Sequence, residues 1–462
     1  MTTTTPFASA ADLWREVDGE PHLLDGLAVD GADPVLSSIF RVGAAAAGAV
    51  GATTLAVAAT WHDRGGPVPE VFTDVREATT AFRSEQLLEI QGAAPNLWAD
   101  LSGDYPGSDG WIRLHCNFAH HQAAALRALG LDPEADREQV AGAVAGRSSD
   151  AVVESVMAAG GCASELRPLA AWQTHPQGTT VASLPLVAID PIGSAPPRPL
   201  REASRPLGGI RVLDLTRVIA GPVCGRVLAS HGANVLRVGA SHLPTFRVLD
   251  LDTGFGKRWC ALDLRDAGDR TTFTTLARDA DVVVQSYRPG ALSGLGFGPE
   301  ELAAVSPGVV VVSLSAYGQA GPWAPRRGFD SLVQLASGIA HEQAVAHGVA
   351  RPVALPCQLL DHGTGWLAAL GALAALRRRH REGGSWHVQV SLARTAAWLE
   401  RHGRVEGIGT PAPGRAELSD LIVDDETHAG TLTHVRAVGT VSGTAPSWDR
   451  PPPAPGADPP AW

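Results

Sequence analysis

In the second half of the chain, short apolar runs of strand length alternate with longer stretches in which small and apolar residues recur at helical spacing. The most compact instance is Arg211–Val238. Val212-Leu213 and Val235-Leu236-Arg237-Val238 read as strands. Between them, Gly221-Pro222 opens a helix through Arg226, Leu228 and Ala229 that Gly232 closes, with proline near the start and glycine past the end as helix chemistry prefers. This predicts a βαβ unit. Strands at Cys260–Leu264, Asp281–Gln285 and Val309–Ser315 follow, interleaved with helices at Gly268–Arg278 and Pro299–Val305. A long helix at 361–381, a strand at Trp386–Leu392 and a helix at Ala393–His402 complete the series. Such alternation predicts an α/β fold: an open, mostly parallel, Rossmann-like sheet with helices on both faces. Ligands bind such sheets beyond the carboxyl ends of the strands, so the turn Thr216–Pro222 is a candidate pocket wall.

Upstream the pattern changes. A strand at Trp111–His115, a helix at Ala119–Leu129 and a helix at Ser149–Ala159 stopped by Gly160-Gly161 predict a smaller α+β domain. Proline-rich stretches at Pro191–Pro206 and Pro446–Pro460 read as extended linkers rather than packed elements. Gly43–Phe82 parallels Asp361–Leu399: each has a small-residue helix, a turn (His62-Asp63-Arg64-Gly65-Gly66 or His380-Arg381-Glu382-Gly383-Gly384) and an apolar strand. The first copy has no acidic counterpart of Asp361. These features divide the chain into a degenerate N-terminal copy of the large domain's helical part (1–104), the small domain (105–190), a linker (191–207), the large domain (208–402) and a C-terminal extension with a proline-rich tail (403–462).

Composition narrows the function classes. The net charge of −11 over 462 residues provides no basic face for nucleic acid. The Ala-rich stretch Gly43–Ala59 comes nearest to a membrane span but is too short and too rich in Gly and Thr, so none is expected. MTTTTPFASAADLW lacks the basic and apolar regions of a secretory signal, which predicts a cytoplasmic protein. Five scattered cysteines without CxxC spacing support reduced thiols rather than disulfides or zinc. His120 and His121 are adjacent rather than on one helix face, so they read as solvated and no metal site is expected.

Asp361 begins the most chemically loaded segment, LLDHGTGWLAALGALAALRRRH. An N-cap is one reading of an Asp at a helix mouth. The other is a reactive carboxylate: Gly363 and Gly365 leave room for a ligand near the backbone, and a helix N-terminus offers free N–H groups to an anion or developing oxyanion. Lys257-Arg258 provide two cations between a Gly-flexed loop and a strand. The loops Gln285–Gly290 and Tyr317–Pro322 follow successive strands at the same sheet edge, mixing polar groups with glycine, which together predict a cleft. GxGxxG, GxxxxGK[ST] and GxSxG are all absent from the expected places. Their absence counts against dinucleotide, P-loop and serine-hydrolase sites.

Six ordered blocks between Gly208 and Glu400 resemble the class III CoA-transferase family: VLDLTRVIAGPVCGRVLASHGANVLRV, GKRWCALDL, DVVVQSYRPGALSGLG, SAYGQAGPWAPRRGFDSLVQLASG, DHGTGWLAALGALAAL and HVQVSLARTAAWL. The family includes carnitine and formyl CoA-transferases and a branch of acyl-CoA racemases. The resemblance implies that Asp361 is a nucleophile forming an acyl-aspartyl anhydride and then an aspartyl-CoA thioester. A carboxylate with an ordinary pKa of about 4 would need no activating base. It implies CoA contacts at Val218, Ile219, Arg237, Lys257, Arg258, Arg288, Gly318 and Gln319, with the CoA thioester as substrate and no further cofactor or metal. The partners it implies are an acyl-CoA, a carboxylic acid and a second copy of the chain in a homodimer. Ile219 and Gly294 depart from formyl-CoA transferases, which carry polar and basic residues there. The racemase branch has a histidine where this chain has Phe329, which favours transfer over racemisation. A racemase or isomerase and a catalytically silent CoA-binding subunit are the alternatives. Asp109–Val187 resembles the family's small domain, here placed ahead of the large one, and no Gly-rich loop covering the aspartate is identified.

Overall fold

The computed structural model describes residues 4–67 and 70–462. Its centre is a seven-stranded sheet in the order Lys257–Ala261, Asn234–Gly239, Arg211–Leu215, Val282–Gln285, Val310–Ser315, Ser385–Ser391, Ala188–Gly193. All neighbours are parallel except the last pair. The predicted strands and helices of this region appear within a few residues of their expected bounds, the strand at Cys260 beginning three residues earlier at Lys257. The inner strands are mostly apolar because helices cover both faces, and the buried charged residues among them, Asp214 and Arg237, are held in ion pairs. Alternate side chains serve opposite cores: Val212, Val282 and Val284 join one apolar cluster, Leu213 and Val283 the other.

The chain runs outward from Arg211–Leu215 to the Lys257 edge and then returns to the other side with Val282–Gln285. The strand order therefore reverses between these two strands, and the crevice at their carboxyl ends is where an open sheet accommodates a ligand.

Strands Gly103–Pro106, Trp111–Leu114 and Ala163–Glu165 form a separate antiparallel sheet. With helices Ala119–Leu129, Arg137–Ala145 and Ser149–Ala158 it encloses its own core of Tyr105, Ile112, Leu126, Val144 and Val156.

The Ala-rich segment is longer than the sequence pattern indicates, a 22-residue helix Val42–Asp63. It and Leu359–Glu382 have the length and hydropathy of membrane spans, yet the apolar 18-residue stretch of each is wholly buried in protein. Small side chains permit this packing. A Cβ on Gly48 would lie 2.0 Å from Ser9 Oγ on the neighbouring helix Pro6–Glu16, and Thr53 Oγ1 donates to the Trp366 carbonyl across the helix pair at 3.1 Å.

The segments Val42–Ala81 and Leu359–Arg401 have the same element order, a helix, a Gly-containing turn, a strand and a second helix, with Asp74 and Ser391 as N-caps of the second helices. The proline-rich tail is not a free linker. Trp448 Nε1 donates to the Arg226 carbonyl, Asp458 accepts the Trp259 N–H, and Trp462 Nε1 donates to the Leu276 carbonyl. The tryptophans anchor the tail to the helices Ala220–Ser230 and Ala267–Arg278, while Asp458 and Ala461 bond the outermost strand, Lys257–Ala261, and cover the sheet edge it would otherwise expose.

Candidate functional site

A cavity of about 380 Å³ opens at the switch point of the sheet, a size typical of small-molecule sites. Its floor is the turn Arg217–Gly221 after the strand Arg211–Leu215 and the loop Ser286–Ala291 after Val282–Gln285. The third wall, Phe118, His120 and His121, comes from the small α+β unit. Val218 has φ +74°, a left-handed conformation that a β-branched residue adopts only under constraint. The strain lies where the chain leaves the sheet to enter the helix Ala220–Ser230, whose N-terminus lines the cavity.

Asp361 faces this cavity, 6% exposed, in the first turn of Leu359–Glu382. It does not cap the helix. The cap is Asp330, whose carboxylate accepts the Asp361 N–H at 3.0 Å and also holds the Leu360 N–H. The upstream copy shows that this is the structural role of a different position. There Asp33 accepts the N–H groups of Gly43 and Ala44 at 2.7 and 2.8 Å, as Asp330 does for Leu360 and Asp361, and Ala44 stands in the place of Asp361. The fold thus builds this helix start without a carboxylate at the Asp361 position.

Burial, the nearby Asp330 carboxylate and Glu85 together hold the Asp361 carboxyl well above the usual range, and no hydrogen bond from a described residue counteracts them. Burial also raises Asp330 to about 6, although the helix N–H groups and Gln334 favour its anion. The expectation of an ordinary, freely ionised carboxylate at 361 is therefore corrected: two buried carboxyls share one site. His362 points the other way, its Nε2 2.8 Å from Glu85 Oε2 in a fully buried pair stacked on Phe82.

Gly363 and Gly365 make room for neighbouring helices rather than a ligand. A Cβ on Gly365 would lie 2.5 Å from the Ala220 carbonyl and 2.8 Å from Val223; one on Gly363 would meet Thr395 at 3.0 Å. Glycine at 365 lets Leu359–Glu382 cross closely over the start of Ala220–Ser230, bringing Asp361 and the strained turn to one cavity.

Of the expected CoA contacts, Val218, Ile219 and Arg288 line this cavity. Lys257 does not: it is 1% exposed, 2.8 Å from Asp214 Oδ2 and 2.7 Å from the Pro222 carbonyl. Arg237 is equally committed, 2.7 Å from Asp250 and 3.6 Å above the Trp259 ring centre. Arg258 binds the Ala461 carbonyl and Asn234 near the amino ends of the strands, away from the crevice. Sequence spacing identifies these cations but not that the sheet directs them into its core or its opposite edge. Gly318 and Gln319 border a separate cavity of about 120 Å³ beside Arg394.

The cations that do line the main cavity with Arg288 are Arg217, Arg326 and Arg327, which the sequence reading did not single out. The adjacency of Arg326-Arg327 to the Gly328-Phe329-Asp330 triplet was the available signal. His121 is also corrected. It is 5% exposed and within 3.6 Å of Cys162, not solvated, and burial together with neighbouring cationic groups pushes it down to about 3. Phe329 lies flat against His115, ring centres 3.6 Å apart. Among the described residues no cluster of His, Cys, Asp or Glu could hold a metal ion; all five cysteines are buried and free.

The family described as CoA-transferase family III matches residues 207–417, a span that contains the switch-point loops and Asp361. Acetyl-coenzyme A transferase nodX of Hypoxylon pulicicidum is 36% identical over 241 residues, covering 51% of this chain and 37% of that protein. A probable fatty acyl-CoA transferase of Mycobacterium tuberculosis, Rv3272, is 34% identical over 215 residues, covering 44% of this chain and 54% of that protein. A crystal structure of Rv3272 aligns at 33% identity with a TM-score of 0.40, covering 43% of this chain and 59% of that one. The chain therefore spans only part of the length of these curated relatives, 37% and 54%.

Proposed function

We propose that this chain is an acyl-CoA:carboxylate CoA-transferase in which Asp361 is the nucleophile. The supporting observation is a buried carboxyl with no structural role, facing a cavity lined by four arginines in a family III region. Asp361, once its raised carboxyl has released its proton to solvent, attacks the thioester carbonyl as the carboxylate; the C–S bond breaks, CoA leaves as thiolate, and an acyl-aspartyl anhydride remains. The thiolate attacks the aspartyl carbonyl, the acyl group departs as its carboxylate, and an aspartyl-CoA thioester forms. An acceptor carboxylate then takes CoA by the same two steps in reverse. The N–H groups at the start of Ala220–Ser230 are the candidate oxyanion donors, since their helix begins in the cavity wall. Arg288, exposed on the loop after Val282–Gln285, is the candidate phosphate contact on the solvent side.

The test is trapping. Protein incubated with a panel of acyl-CoAs and hydroxylamine should yield a hydroxamate on Asp361 by peptide mass spectrometry, and Asp361→Asn none. A folded protein that binds acyl-CoA yet is never labelled rejects the covalent route. A cytoplasmic homodimer is part of the same proposal; sedimentation of the purified chain at half the expected mass rejects the dimer.

A further inference from the structure

Among the described residues, three of the four cavity arginines have no counter-ion, and two of these three are held in the cavity wall rather than exposed. Arg326 is paired with Glu154 at 2.8 Å and lies over Trp323. Arg288 stands exposed in its loop. Arg217 donates only to the Pro244 carbonyl at 2.9 Å, and Arg327 makes neither an ion pair nor a side-chain hydrogen bond with any described residue. They come from two different loops, one after the strand Arg211–Leu215 and one before the helix Asp330–Ala336, yet both are close enough to oppose protonation of His120 and His121. Both guanidiniums line the same cavity as the exposed His120 and the buried His121, and Asp361 is the only acid among the lining residues, so this wall carries a positive potential that an anion would complete.

We propose that Arg217 and Arg327, with His120, form a subsite for a carboxylate at the far end of the acyl group, so that the cavity selects thioesters of dicarboxylic acids. This rests on the CoA-transferase reading. The placement favours the acyl end of the substrate over the CoA phosphates. His121 packs edge-on against Phe329, ring centres 5.8 Å apart, and Phe329 directly precedes Asp330, which holds the Asp361 N–H. The subsite therefore adjoins the reacting carboxyl, whereas Arg288 is left at the exposed loop. Guanidinium pairs bind carboxylate through charge-assisted, fork-shaped hydrogen bonds, while the neutral imidazole of His120 can donate one more.

The test compares glutaryl-CoA with pentanoyl-CoA, equal in carbon count and differing in the terminal carboxylate, with free CoA as the third ligand. Calorimetric titration of the full chain should show glutaryl-CoA bound at least about tenfold more tightly than pentanoyl-CoA, the scale of one charge-assisted hydrogen bond in a half-buried site. In Arg327→Gln and Arg217→Gln the ratio should fall toward one, and in Arg327→Lys it should recover in part. Equal affinity of the parent for the two thioesters overturns the proposal. So does an equal loss of free CoA and both thioesters in Arg327→Gln, which would assign that guanidinium to the phosphates. A parent that binds none of the three rejects the CoA-transferase reading itself, and this proposal with it.

Discussion

Gly365→Ala places helix propensity and tertiary packing in direct opposition. Alanine is favoured over glycine in a helix interior by about 1 kcal/mol, so propensity alone predicts a more stable protein. The added Cβ, however, would lie 2.5 Å from the Ala220 carbonyl, about 0.9 Å short of the 3.4 Å where ordinary contact begins, and 2.8 Å from Val223. Both are on a buried helix start that cannot swing aside, so the strain belongs toward the upper end of the usual overpacking range, about 3 kcal/mol. The net expectation is a loss of about 2 kcal/mol, visible as a fall of several degrees in Tm. Since Asp361 is one turn from Gly365, a displacement approaching 1 Å also misplaces the carboxyl, and turnover should fall about 100-fold. Gly142→Ala is the control: Gly142 is exposed in helix Arg137–Ala145 with nothing within 4 Å of its added Cβ, so propensity should dominate and raise stability by up to about 1 kcal/mol. Thermal unfolding and CoA-transfer rates measured on both variants decide the matter. A Gly365→Ala protein that unfolds at or above the parent's temperature and turns over normally would falsify the packing argument.

The remaining predictions concern buried charge. Lys257→Met should cost about 3–5 kcal/mol because it leaves Asp214 unpaired in the core. Adding Asp214→Leu should restore most of that loss, whereas lost CoA affinity at unchanged stability would return Lys257 to the binding site. Because burial raises the Asp361 carboxyl in the folded state, the fold binds more protons than the unfolded chain. Stability contributed by this group therefore falls as pH rises from the ordinary carboxyl range through the raised value. Asp361→Asn should accordingly stabilise the protein more at pH 8 than at pH 5 in denaturant titrations, and a constant difference would contradict the raised carboxyl. Asp330→Asn keeps an acceptor for the Asp361 N–H but removes the adjacent negative charge, so the acid limb of the turnover profile should move to lower pH. An unmoved or upward-shifted limb would remove Asp330 as the cause.

The parallel sheet was legible because its central strands carry short runs of valine and leucine, as in Val282–Gln285 and Val310–Ser315, separated by helical stretches. The candidate nucleophile was legible because Asp361 stands where a small-residue helix begins. The proline-rich tail was misread because composition describes the backbone's stiffness and not the surface on which Trp448 and Trp462 settle. His121 was misread for a related reason. Its sequence neighbours His120 and Gln122 are polar, but it shares a buried helix face with Ala124 and Ala125, and Phe329 and Cys162, far away in the chain, close over it.

The sequence by itself determined the periodicities, hence the βαβ alternation, the helix starts and stops, and which residue types were available for chemistry. These depend on contacts only a few residues apart. The tertiary structure decided which of those residues meet. Strand order placed the crevice at the reversal between Arg211–Leu215 and Val282–Gln285. Sheet register sent Lys257 and Arg237 into buried ion pairs, the loops carrying Arg217 and Arg327 left them without counter-ions among the described residues, and the long-range partner Asp330 took the helix cap and left Asp361 free. A charge is paired or available according to what lies within a few ångströms of it, and for these residues the deciding neighbour is remote in sequence.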